Sequence, residues 1–274
     1  MLQIVLPVLC TLFVWWFSTG LVLYLVSLPR RTYRWSLLGA TAVLGAAMWG
    51  LSVSSVDASV NGAYVAFCCA IAVWGWQEIC FLTGVAMGPR TEPCPAGIDG
   101  WRRVGAAIQV ILYHELQLLA LGAAVLLATL DGTNQVGLWT YVVLWTMRLS
   151  AKLNLFLGVP FLHDDWLPAH LRYLRSYFRI RPMNHLFPFA VSGATIAAFV
   201  LVQAALGSDA TSFEASGRLL LASLLAAAVL EHWFMVLPLP VAALWSRFRA
   251  RQAVRHPTED TTAVVFPTPT VNGG

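Results

Sequence analysis

Apolar runs about as long as a bilayer is thick recur seven times between residues 2 and 245, and this constrains the fold more than any other feature. A hydrocarbon core about 30 Å thick takes roughly 20 helical residues to cross. Bounded by charges and by Pro and Gly, the runs predict spans over 2–28, 36–55, 61–87, 104–129, 138–159, 184–206 and 218–245. Backbone N–H and C=O groups find no water in hydrocarbon, so a crossing chain must satisfy them within helices or a closed barrel. Continuous apolarity replaces the period-two alternation of a barrel strand and excludes that architecture. The expected fold is all-α: a polytopic membrane protein built as a bundle of seven transmembrane helices.

Only 11% of the 274 residues are charged, against about 25% in ordinary soluble domains, so no stretch remains for a separate soluble domain. Where the charges fall predicts the topology. Arg30, Arg31 and Arg34 lie in the first connection, Arg90, Arg102 and Arg103 in the third, and Arg172, Arg175, Arg179 and Arg181 in the fifth. Arg247, Arg249, Arg251 and Arg255 follow the last span, while the even-numbered connections hold Asp57, Asp131, Asp209 and Glu214. The positive-inside rule then puts the N-terminus outside and the C-terminus in the cytoplasm. Residues 1–28 lack a basic start and a cleavage site and are read as the first span. The chain divides into a transmembrane domain over 1–250 and a polar, Pro-containing tail over 251–274, expected to be disordered.

Ionisable residues inside the spans carry the functional question. Glu78 falls in span 3, His114 and Glu115 in span 4, Arg148, Lys152 and Asn154 in span 5, and Glu231 and His232 in span 7. An ionised side chain at a span's centre costs about 2.5–3.5 kcal/mol to insert, so five left alone would cost about 15 kcal/mol. Such groups meet inside the bundle or line a wet cavity. At a rise of about 1.5 Å per residue, all of them fall in one layer between the bilayer centre and the basic side.

Three accounts of the layer stay open. It could be a structural network of three carboxylates against Arg148 and Lys152. Glu78, His114, Glu115, Glu231 and His232 also supply oxygen and imidazole ligands suited to a divalent metal. A proton or ion path is the third account. The charge sum of the layer is one negative, which an added cation or a proton would cancel. Against a metal, His114-Glu115 and Glu231-His232 are adjacent pairs, without the Glu-x-x-His spacing of carboxylate di-iron bundles.

Weaker signals lie outside the layer. Gly84 and Gly88 form a small-xxx-small pair near the end of span 3, where another helix could approach closely. The fifth connection carries His163, Asp164, Asp165 and His170 before an Arg/Tyr-rich stretch from Arg172 to Arg181, read as an amphipathic helix at anionic headgroups. Pro93-Cys94-Pro95 offers one thiolate to a tetrapyrrole but reads more simply as a rigid loop. No phosphate-binding Gly-rich loop, nucleophile elbow or histidine-box series occurs, and nothing points to a nucleic-acid partner. The single lysine, Lys152, is in span 5, so the last span lacks the Schiff-base lysine of retinal proteins.

Several of these residues combine into a recognisable pattern. Glu78 stands with Phe81-Leu82-Thr83-Gly84 and Gly88-Pro89-Arg90, followed by His114-Glu115 and an unbroken run from Arg148 to Pro160 containing Ser150-Ala151-Lys152-Leu153-Asn154. Leu167-Pro168, Met183-Asn184, Leu186-Phe187-Pro188 and Glu231-His232 complete it. The chain resembles the PuhE family, photosynthetic complex assembly proteins of purple phototrophic bacteria, over nearly its whole length apart from the tail. The resemblance implies a multi-pass protein of the bacterial inner membrane. It would support assembly of reaction-centre and light-harvesting complexes, or bacteriochlorophyll supply. Its partners would be lipid, photosynthetic complex subunits or pigment-biosynthesis enzymes. The competing expectation is a membrane enzyme acting on a tetrapyrrole, with a divalent metal or the pigment itself as bound cofactor.

Overall fold

In a computed structural model, residues 2–162 and 167–239 are described, and among them every extended regular element is a helix. Seven long helices follow in order: α1 (Leu2–Ser27), α2 (Tyr33–Ser55), α3 (Val60–Leu82), α4 (Gly100–Thr129), α5 (Val136–Leu157), α6 (Leu186–Leu206) and α7 (Ser212–Phe234). All but α5 are both long and apolar enough to cross a bilayer, which makes six candidate spans. His163, Asp164 and Asp165, the end of the last expected span and the expected tail over 251–274 lie outside the described residues.

Local chemistry accounts for most helix ends. Ser59 caps α3 by accepting a 3.0 Å hydrogen bond from Gly62 N. Thr211 and Glu214 form a reciprocal capping box that starts α7 at Ser212, six residues before the expected 218. At the other end α7 stops at Phe234, and Pro238 follows in a non-helical segment. Asn134 fastens the α4–α5 turn to the end of α2, donating to Ser54 O at 3.0 Å and Asp57 O at 3.1 Å.

The largest departure from expectation follows α3. That helix ends at Leu82, and residues 83–90 run on without helical structure against the side of α4. Gly84 has φ +83°, a left-handed conformation that suits glycine, so the Gly84/Gly88 pair is not a helical packing motif. Gly88 instead brings backbone against backbone, since an added Cβ would collide with Gln109 O and Val110 O. Arg90 N donates to Gln109 O at 3.4 Å, and Met87 O accepts from His114 N at 3.0 Å. Non-helical backbone among membrane helices is tolerated where protein buries it, and both Met87 and Gly88 are buried.

More than half of the most apolar stretch of α3 and of α7 is buried, against 11–22% in the other candidate spans. The core is correspondingly central. Ala63, Ala66, Phe67 and Ile71 of α3 pack with Val136, Leu220 and Leu224, and Leu51, Val73, Trp74, Leu118 and Tyr141 form a neighbouring cluster. A third cluster joins Phe81, Met87 and Val110 to Leu171, Leu174 and Tyr177 of a 3-10 segment, Ala169–Tyr177. In that segment every third residue is buried and Arg172 and Arg175 are exposed, so the expected amphipathic helix is shorter, tighter and starts earlier. The outward faces of α1, α2 and α6 are apolar, with Phe13, Leu38, Trp49, Phe189, Ile196 and Phe199 exposed, as contact with lipid requires.

Candidate functional site: a polar layer beside an apolar cavity

The polar string of α5 sends three side chains to three other helices, and Asn154 ties the string to the start of α6 through its backbone carbonyl. Arg148 Nη2 lies 2.8 Å from Glu78 Oε2 on α3. Ser150 Oγ lies 2.9 Å from His232 Nε2 on α7, and Lys152 Nζ lies 2.6 Å from Glu115 Oε1 on α4. Asn154 donates to Ser150 O at 2.9 Å, and its own carbonyl accepts from Asn184, whose side-chain oxygen takes the N–H groups of Leu186 and Phe187 at the start of α6. An i, i+2, i+4, i+6 polar pattern puts Arg148 and Lys152 on one face of the helix and Ser150 and Asn154 on the opposite one, and the two cations reach different helices from their shared face.

The protonation of His232 follows from its contacts. Nδ1 lies 2.8 Å from the carbonyl oxygen of Ala228, which only accepts, so Nδ1 carries the hydrogen. Nε2 is then the acceptor of the Ser150 hydroxyl. Both ring nitrogens are engaged within a side chain that is 1% exposed.

The two members of each adjacent pair meet different neighbours. Glu231 turns from His232 and accepts a 2.8 Å hydrogen bond from Trp15 Nε1 of α1. His114 packs against the Phe81 ring at 4.6 Å between centroids, while Glu115 faces Lys152. His114 Nδ1 is buried without a hydrogen-bond partner among the described residues. Nor do the described residues gather three or more His, Cys, Asp or Glu side chains into a group that could hold a metal ion.

Beside the layer runs a cavity of about 420 Å³ among α1, α3, α5 and α7, with the first turns of α4 and the 3-10 segment at one end. Glu78, Arg148, Lys152, Glu231 and His232, with Ser18 and Thr19 of α1, contribute the polar part of its wall, and the rest is apolar and aromatic. Arg103 is buried at that end of the bundle, donating to Phe156 O at 3.3 Å and to Tyr177 O, with its guanidinium 4.1 Å from the Phe156 ring. Counted in the sequence as a loop cation, Arg103 is a strut within the fold. Cys94 N donates to Ser176 Oγ at 2.8 Å, which ties the Pro93-Cys94-Pro95 loop to the 3-10 segment as a rigid connection.

Outside the helices, His170 packs its ring against Gly84 and stands 6.5 Å from the ring of Tyr33. Burial, and secondarily the Arg30 charge, hold its pKa below the usual imidazole value of 6.5.

The sequence profile of DUF3623, a family of proteins of unknown function, matches residues 1–255. The chain belongs to this family. A relative in Rhodobacter capsulatus, an uncharacterised 30.4 kDa protein in the puhA 5′ region, is 41% identical over 244 residues, which cover 87% of this chain and 88% of the relative. No solved structure matches significantly. Every residue of the polar layer and of the cavity wall falls within the DUF3623 match.

Three participants carried little sequence signal. Trp15 is one indole in an apolar run, Ser150 is an ordinary small residue of a membrane helix, and Asn184 stands outside the helix that it caps. The alternating polar string Arg148, Ser150, Lys152 and Asn154 in an otherwise apolar helix is the sequence signal that includes Ser150.

Proposed function

We propose that this protein is a multi-pass inner-membrane factor that supports the assembly of photosynthetic complexes. The observation that carries this reading is the R. capsulatus relative, 41% identical over most of both chains and described as a protein in the puhA 5′ region, which agrees with the resemblance of the sequence to photosynthetic complex assembly proteins. The layer supports a binding or scaffolding role over a catalytic one. Arg148 and Lys152 are each matched to one carboxylate, and His232 is engaged at both nitrogens. In this reading Glu78, Glu115, His114, His232, Arg148, Lys152 and Asn154 set the geometry of the bundle around the cavity.

The same proposal includes α5 as a seventh span. Its two cations are paired with carboxylates of neighbouring helices, which offsets part of the cost of burying them. Seven spans with basic odd-numbered connections put the N-terminus outside and the C-terminus in the cytoplasm.

A deletion in a phototrophic host carrying this chain tests the function. Membrane absorbance of reaction-centre and light-harvesting complexes should fall while transcripts of their subunits are unchanged, and the wild-type chain supplied in trans should restore it. Unaltered complex content and phototrophic growth would overturn the proposal.

A further inference from the structure

The charges of the polar layer do not cancel, and the excess lies on the cavity wall. Glu78 is paired with Arg148 and Glu115 with Lys152. Glu231 remains, exposed on the cavity side of α7 and held by one neutral donor, Trp15 Nε1, among the described residues. Arg148 and Glu78 both lie within electrostatic range of it, Arg148 acting the more strongly, but Arg148 makes its ion pair with Glu78 and not with Glu231. The C-terminal ends of α3, α5 and α7 border the same cavity at Leu82, Phe156 and Met235, and helix C-termini add partial negative charge. A ligand that enters therefore meets a wall that accepts hydrogen bonds and disfavours anions.

Beyond this acceptor and the paired groups the cavity is mostly apolar, with Ser18 and Thr19 as further polar side chains and the Ser18 hydroxyl donating to Trp15 O at 3.2 Å. Ile71, Gly75, Val143 and Leu224 lead away from Glu231 along the bundle. A volume of about 420 Å³ falls within the roughly 300–1,000 Å³ of small-molecule sites. An apolar channel that ends on one unneutralised acceptor suits a molecule with a long apolar body and one donor.

We propose that the cavity binds a single-chain amphiphile with a hydrogen-bond-donating head, an alcohol or a protonated amine, with its donor on Glu231 and its chain along Gly75. This assignment does not depend on the photosynthetic role, since it concerns binding by the isolated chain.

Bromoundecanol, bromoundecylamine and bromoundecanoate have the same chain length and differ in the head. Each quenches tryptophan fluorescence on contact, and Trp15 and Trp74 line the cavity. The full-length protein in nanodiscs of zwitterionic lipid is titrated with each at matched bilayer mole fraction, at a pH where the acid is ionised. The alcohol and the amine should give a saturable quenching component. The carboxylate should bind at least about tenfold more weakly, the scale of one charge-assisted hydrogen bond exchanged for a repulsion. Glu231→Gln should weaken the amine by about tenfold and bring the carboxylate close to the alcohol.

Gly75→Leu should abolish the saturable component for all three. A Cβ at Gly75 meets no atom within 4 Å, so the larger side chain enters the cavity without a clash at its base. Ala151→Leu, on the facing helix, repeats the block from another side, and an unchanged thermal midpoint identifies which of the two variants is folded. Equal saturable quenching by the three heads, preference for the carboxylate, absence of a saturable component, or persistence of binding in a folded blocked variant would each overturn the assignment.

Discussion

Lys152 of α5 and Glu115 of α4 form an ion pair at 2.6 Å, with side chains 18% and 25% exposed. The pair joins two neighbouring helices at positions largely shielded from solvent. Removing one member leaves a charge stranded, which costs about 3–5 kcal/mol, whereas removing both costs far less. Lys152→Met and Glu115→Gln should therefore each lower the thermal midpoint and the membrane level of the protein. The double variant should recover most of the loss, and a cycle over the four proteins measures the coupling. Additive losses would show that the pair contributes little.

The extent to which this site was legible in the sequence depended on whether a residue's chemistry or its environment assigned its role. Arg148 and Lys152 were detectable because ionised groups at membrane depth demand partners, and a shared layer followed from helical rise alone. Which carboxylate each cation meets was not legible, since i, i+4 spacing put Arg148 and Lys152 on one face while their partners sit on α3 and α4. The end of α3 at Leu82 was hidden for a different reason. Thr83 to Gly88 carries no charge and is mostly apolar, so hydropathy continues through it, and it is the left-handed Gly84 and the docking of Met87 O on His114 N that show the backbone has left the helix. The start of α7 could have been read, because Thr-x-x-Glu at 211–214 is a capping-box signature.

Ser150 supplies the hydrogen atom that satisfies His232 Nε2. Ser150→Ala would leave a buried acceptor unpaired, at a cost of about 1–3 kcal/mol. Ser150→Ala combined with His232→Phe should cost less than the two single changes together, because the stranded acceptor is gone. Thermal midpoints of the four proteins in one detergent measure this.

Gly88 and Gly105 separate backbone packing from helix propensity. Gly88→Ala drives a Cβ into the carbonyls of Gln109 and Val110, and overpacking of this kind costs about 1–3 kcal/mol. Gly105→Ala, in α4 with no atom within 4 Å of the added Cβ, should be neutral or stabilise by about 0.5–1 kcal/mol. The denaturation midpoint of Gly88→Ala should fall while that of Gly105→Ala holds or rises, if residues 83–90 are seated on α4 through Gly88.

His170 links stability to pH through the 3-10 segment. Burial and the Arg30 charge hold its folded pKa below the 6.5 of a free imidazole, so the unfolded chain binds the proton first. The contribution is therefore fully present above about pH 6.5 and is lost as pH falls from there through the folded value. His170→Asn removes this term while keeping a polar side chain beside Gly84. The thermal midpoint of the wild type should fall more steeply than that of His170→Asn on acidification from about pH 7.5 to about pH 5.5. The two curves should run parallel at higher pH, where His170 is neutral in both states. Parallel curves across the whole range would show that the proton is accepted without disturbing the contact between the 3-10 segment and the Gly84 turn.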